Sequence, residues 1–279
     1  MSGWMHIIFD SSSRLEREEY YFKYKEREFK LLHNTEEGWY ALMTMLDDPN
    51  SQRNEVYKIT VEYLSALSWQ NRTSITIESL LWGRDGVTLR KEGIRIHGIR
   101  QKSKEYRSIN DSISVVPQVE SEIQQTALAL FSEAYSNPSP YFKFLFYWHV
   151  IDTGERKMRR KFANNWIDEA MKNRRTTTSR GYLSILQKRP EELGEYFYLS
   201  CRHAVAHIFR PGARQLQIDN WDDRRRFHIS ADIMEKFARF YIETELGLKK
   251  KMHLIKGNTD DFPFYASEQE LQGKTYELA

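Results

Sequence analysis

From Val119 to Leu248 apolar residues return at helical spacing with few breaks, and no other feature limits the fold as strongly. "VESEIQQTALALFSEAYSN" (119–137) sets Ile123, Ala127, Leu130, Phe131 and Ala134 on one stripe, and the "NPSP" that follows stops it. "YFKFLFYWHVID" (141–152) is too apolar for a surface helix and predicts a central one. "GERKMRRKFANNWIDEAMKNRR" (154–175) is amphipathic, with Met158, Phe162, Trp166 and Ile167 inward and its basic residues outward. "RPEELGEYFYLSCRHAVAHIF" (189–209) opens with proline and acids, which suit a helix N-terminus, and "RPG" ends it. "RQLQIDNWDDRRRFHIS" (214–230) reads as a hairpin or extended excursion around Asn220–Asp223, and "ADIMEKFARFYIETELGL" (231–248) as the last helix.

The residues before this run have a different texture. "YYFKYKEREFKLL" (20–32) alternates in part and reads as a long strand or hairpin arm. "NEVYKITVEYLSALSWQ" (54–70) has helical spacing. "SITIESLLWGRDGVTLRKEGIRIHGIRQ" (74–101) turns to β, with "RDG" and "KEG" as turn signals. Pro117, inside the extended stretch 109–118, marks the preferred boundary. The expected fold is therefore an α+β N-terminal domain (1–117) of sensing or regulatory type, then an all-α helical domain (118–248). A surface tail (249–279) without periodicity completes the chain. Two domains suit 279 residues.

Composition narrows the setting. No apolar run approaches the ~18 residues of a membrane span, and the start lacks the pattern of a secretory signal. A single cysteine, Cys201, excludes an internal disulfide framework and fits a reducing interior, so a soluble cytoplasmic protein without a membrane partner is expected. The net charge of +3 says little by itself. Residues 155–189, however, hold eleven Lys/Arg against three acids. Such a concentration suits phosphate, although a solvated helix face would have the same composition.

Several chemistries lack their motifs. There is no G-x-x-x-x-G-K-[ST] loop, G-x-G-x-x-G turn, G-x-S-x-G elbow or H-E-x-x-H pair, and one cysteine cannot build a thiolate zinc site. "DNWDD" (219–223) lacks the glycine and spacing of a calcium loop and reads as a turn. Cys201 has mostly apolar neighbours and reads as a buried thiol, and His33 and His97 as structural or solvent-facing. Neither a metal nor a cofactor is expected.

One helix carries groups that its apolar character does not explain. "YLSCRHAVAHIF" (198–209) holds Arg202, His203 and His207. A histidine exchanges a proton near neutrality, and an arginine offers a permanent charge with a fork that matches phosphate. Together they suit attack by an RNA 2′-hydroxyl with charge stabilised at phosphorus. The structural alternative is a buried arginine paired to a helix-borne glutamate, with histidines filling core space. His203 and His207 share a stripe, but Arg202 and His207 lie about 140° apart on an ideal helix. Joint use of those two requires fraying at "RPG" or a second copy opposite, and the second case predicts an isologous two-fold contact.

Arg202, four residues and His207, with a polar His203 after the arginine, resembles the R-x4–6-H signature of HEPN domains. The resemblance covers about 118–248. It implies a small helical bundle that dimerises to assemble a metal-independent endoribonuclease, often a toxin or antiviral effector. It assigns His207 as proton-transfer group, Arg202 as phosphate stabiliser and His203 as orienting group. Arg156, Arg159, Arg160, Lys161, Arg174 and Arg175 would hold the RNA backbone, and a partner protein could regulate the site. "YLSALSW" (63–69), "SPYFKFLFYWHVID" (139–152) and "SCRHAVAH" (200–207) are also similar to a bacterial family labelled as methylamine-utilisation accessory proteins. That likeness implies the same C-terminal half and leaves open a non-catalytic module that binds a nucleotide or a partner.

Overall fold

The computed structural model describes residues 3–14, 19–34, 39–83, 107–108, 113, 116–154, 162–172, 186, 189, 192–206, 216 and 220–249. Its N-terminal part is a five-stranded antiparallel sheet. The strands are β1 (Gly3–Ser11), β3 (Glu19–Tyr24), β4 (Arg27–Asn34), β5 (Trp39–Leu46) and β6 (Ile75–Gly83), in the order β3-β4-β5-β1-β6. β1 is an interior strand, with Ile7 opposite Leu42 on one side and Leu80 on the other. Its alternation explains this place: Met5, Ile7 and Phe9 enter the main core, while Ile8 joins Leu32, Ala41 and Met43 in a second cluster. Two short segments, β2 (Ser13–Arg14) and β7 (Arg107–Ser108), pair in parallel.

The expected hairpin over 20–32 is present, closed by a two-residue turn at Lys25 and Glu26. Both have positive φ, 48° and 60°, the conformation of the tight hairpin turn that usually selects glycine or asparagine. A side chain there costs about 1–2 kcal/mol per residue. The turn is clamped in return: Lys25 Nζ lies 2.7 Å from Glu62, and the Tyr24 hydroxyl donates to the same carboxylate at 2.8 Å.

Glu62 belongs to α1 (Pro49–Asn71), which joins the sheet to the helices. Tyr63 stacks on Phe22 with ring centroids 4.6 Å apart and donates its hydroxyl to the Ile113 carbonyl at 2.9 Å. Trp69, near the other end of α1, is fully buried, and Arg239 donates to its carbonyl at 2.9 Å. One hydrophobic core therefore runs from the sheet through α1 into the helices, and Val116 and Val119 on either side of Pro117 are buried in it.

The helical part contains α2 (Glu122–Ser136), α3 (Pro140–Asp152), α4 (Phe162–Lys172), α5 (Leu193–Tyr196), a π-helical segment (Phe197–Arg202), α6 (His203–Ala206) and α7 (Trp221–Thr244). The apolar stripe of α2 packs on α1 and α3, and Ser121 with Gln124 forms a capping box at its start. α3 lies between α2 and α7, where Phe144, Val150 and Ile151 are fully buried, the central position its composition predicts. Trp166 packs edge-on against Tyr241 at 5.1 Å, as expected of the inner face of α4.

Two expectations need correction. Residues 220–230 are neither hairpin nor extended: α7 begins at Trp221 and takes in the first ten residues before Ala231. Asn220 accepts from the backbone N–H groups of Asp222 and Asp223, whose charges favour a helix N-terminus, so a cap had the appearance of a turn. Nor is 193–206 a uniform α-helix, because it widens into a π turn at Phe197–Arg202. The tail beyond Lys249, the stretch 84–106 and His97 lie outside the described residues.

Candidate functional site

The π turn carries Arg202 and leads into His203. His203 N–H donates to the carbonyl of Tyr198, five residues back, instead of the fourth. Such a turn leaves carbonyls displaced from the regular ladder, and Arg226 on α7 takes that of Ser200 at 3.1 Å. Arg226 also pairs with Asp223 at 3.1 Å, a buried carboxylate one turn earlier. The start of α7 thereby fixes the segment that presents Arg202.

Beneath the turn lies an inert layer. Cys201 is fully buried, its Sγ 3.7 Å from Ser230 Oγ, and burial pushes its thiol up to about 11. A thiol in that state is no nucleophile at neutral pH. His203 is also interior, 6 % exposed, with its ring edge-on to Tyr198 at 4.5 Å. Of the two motif residues described, only Arg202 is half-buried and within reach of solvent. His207, Arg156, Arg159, Arg160, Lys161, Arg174 and Arg175 lie outside the described residues.

The structure adds two groups beside Arg202 that sequence reasoning passed over. The last turn of α3 packs against the π segment and α6, with Trp148 against Tyr198 at 6.2 Å. That turn presents His149 and Asp152, three residues apart on one helix face, with His149 Nδ1 3.9 Å from Asp152 Oδ2. Trp148 Nε1–H donates to the same carboxylate oxygen at 2.9 Å and fixes it. Both side chains remain open to solvent, 41 % and 38 % exposed. Burial holds the His149 imidazole below the usual histidine range; Asp152 opposes that shift and Arg202 adds to it. Burial raises the Asp152 carboxyl, against His149, the Trp148 hydrogen bond and Arg202. The charge of Arg202 thus acts on both groups.

An imidazole and a carboxylate thus share the last turn of α3, and the charge of Arg202 on the neighbouring π segment reaches both. The cation can hold an anionic oxygen, and the imidazole can accept a proton from a weak acid beside it. The sequence signal was present in "WHVID", a histidine and an aspartate three apart in the last turn of a helix. Its apolar context pointed to core instead. Among the described residues no group of three or more His, Cys, Asp or Glu could hold a metal ion, and no helix is long and apolar enough to cross a membrane.

A family model described as methylamine utilization protein MauJ matches residues 127–243, from the middle of α2 to the end of α7. This agrees with the second of the two resemblances read from the sequence. No curated protein and no solved structure matches the chain.

Proposed function

We propose that the chain is a HEPN-type endoribonuclease that cuts RNA at a site built around Arg202. The observation that carries this reading is the packing of the turn that bears half-buried Arg202 against the last turn of α3, where the solvent-reachable imidazole of His149 lies within the field of that charge. Arg202 would stabilise the non-bridging oxygens as charge grows on phosphorus, and His207 would serve as a proton-transfer group. His203, sealed against Tyr198, would orient the turn instead of touching RNA. Arg156, Arg159, Arg160, Lys161, Arg174 and Arg175 would hold the backbone of a single strand, and such a reaction needs no metal. A toxin or antiviral role in the cytoplasm, with the sheet domain as sensor, is what the HEPN resemblance adds.

A homodimer belongs to this proposal. On α3 the residues Phe142, Leu145, Phe146 and His149 follow one stripe, and Phe142 is 51 % exposed although the rest of the helix is largely buried. Leu199, three residues before Arg202, is 50 % exposed. Apolar side chains left open on both elements that carry the proposed site support a second copy docking there.

The test uses a fluorescent single-stranded RNA in the presence of chelator. The wild-type chain should cut it, while Arg202→Gln and His207→Ala lose at least about 100-fold with far-UV circular dichroism unchanged. Undiminished cleavage by either variant would refute the assignment.

The family match favours a second reading, an accessory protein of methylamine utilisation that keeps the helical scaffold without chemistry. In that case the wild-type chain leaves RNA intact, and its deletion impairs growth on methylamine.

A further inference from the structure

We infer that His149, oriented by Asp152, is the group that takes the proton from the attacking 2′-hydroxyl; this rests on the ribonuclease reading above and adds a catalytic residue from α3 to it. Three observations converge on His149. Its ring is open to solvent on the last turn of α3, the element that packs against the π segment bearing Arg202. Asp152 lies 3.9 Å from Nδ1 and is pinned by the Trp148 indole at 2.9 Å, so the carboxylate is a fixed feature and not a mobile surface acid. The ring chain Trp148–Tyr198–His203, at 6.2 and 4.5 Å, locks α3 to the turn that bears Arg202.

This arrangement divides the work by chemistry. At 3.9 Å the carboxylate lies beyond hydrogen-bond distance of Nδ1, and its charge favours the tautomer with the proton on that nitrogen, which leaves Nε2 to accept. The neutral form is the one a base requires, and partial burial and Arg202 both favour it. As His149 takes the proton, the 2′-oxygen forms a bond to phosphorus and the bond to the 5′-oxygen breaks. The electron pair leaves with that oxygen, which takes a proton from His207, the proton-transfer group named above, and His149 and His207 later return to their starting states by exchanging protons with solvent. The products are a 2′,3′-cyclic phosphate and a 5′-hydroxyl, with no oxidation or reduction. Arg202 stays charged throughout and holds the non-bridging oxygens.

The full chain is assayed on the same RNA as wild type, His149→Gln, Asp152→Asn and Arg202→Gln, with circular dichroism for each and a pH profile of kcat/KM. His149→Gln should lose about 100-fold or more. Asp152→Asn should lower kcat/KM and move the acidic limb of the profile to lower pH, because it removes the anion that supports the imidazolium. Among the described residues Asp152 on the same helix and Arg202 on the π segment are the charged groups acting on this ring. A purely structural role for Asp152 would not move that limb. If His149→Gln cuts at the wild-type rate while Arg202→Gln does not, this inference fails and the ribonuclease reading stands. A wild-type chain that cuts no RNA overturns both.

Discussion

The guanidinium of Arg226 donates across 3.1 Å to the carbonyl oxygen of Ser200, which joins the second turn of α7 to the π turn that presents Arg202. Arg226 also neutralises Asp223, buried at 2 % exposure. One side chain thus satisfies a displaced backbone carbonyl and a carboxylate that has no access to water.

Arg226→Met should therefore destabilise the protein by about 2–4 kcal/mol, since both partners lose their donor inside the fold. Denaturant unfolding measures the loss. The double variant Arg226→Met/Asp223→Leu should recover part of it, because the stranded charge is gone. Equal stability of the two variants would show that Asp223 is not what Arg226 compensates.

Gly194 sits where α5 meets α4, and its N–H donates to Asp168 Oδ1 at 2.9 Å. A β-carbon there would collide with the backbone oxygen of Asn164 and the Asp168 carboxylate. Gly194→Ala should cost about 2–3 kcal/mol in thermal or denaturant unfolding, despite the better helix propensity of alanine. A neutral or stabilising effect would mean that the two helices are not in this contact.

The His149 pKa offers a test that needs no substrate. It should lie below the ordinary histidine value, fall further in Asp152→Asn and rise in Arg202→Gln. Proton titration of the imidazole by NMR reads all three. The same shift sets a sign for stability. With the folded pKa below the unfolded one, the unfolded chain binds more protons between them. His149 therefore weakens the fold as pH drops from the ordinary histidine value toward the folded one. Asp152 acts in the opposite sense at lower pH: its raised carboxyl makes the fold bind more protons, so ionising it costs stability as pH rises through the window above the ordinary aspartate value.

Phe142 and Leu199 stand open on α3 and the π segment, the two elements that carry the proposed site. Phe142→Asp and Leu199→Asp should each leave the monomer folded and shift light-scattering mass from two chains to one. Nuclease activity should fall with the dimer. A wild-type mass of one chain would remove the two-fold element of the proposal.

Much of this architecture was legible in the chain because apolar spacing reports burial directly. The α2 stripe, the oily α3 and the hairpin at 20–32 all follow from periodicity and turn chemistry. The π turn was not legible, because its wider hydrogen bonding is set by tertiary partners such as Arg226, which a sequence window does not contain. The start of α7 was misread since asparagine and aspartate serve both turns and helix caps, and only the residues after Asp223 decide between them. Arg202 is singled out by its motif. His149 and Asp152 do not stand out in the sequence because core-like neighbours obscure a short polar edge, which adjoins the π turn only once α3 packs against it.

The most direct test of the central claim is the chemistry of the RNA ends that the wild-type chain produces, read by mass spectrometry on an oligonucleotide and on its copy with 2′-deoxyribose at the cut site. Attack by the 2′-hydroxyl beside Arg202 and His149 should yield a 2′,3′-cyclic phosphate and a 5′-hydroxyl from the first and nothing from the second. Fragments bearing a 5′-phosphate, cutting of the deoxy-substituted strand, or intact RNA in both would contradict it.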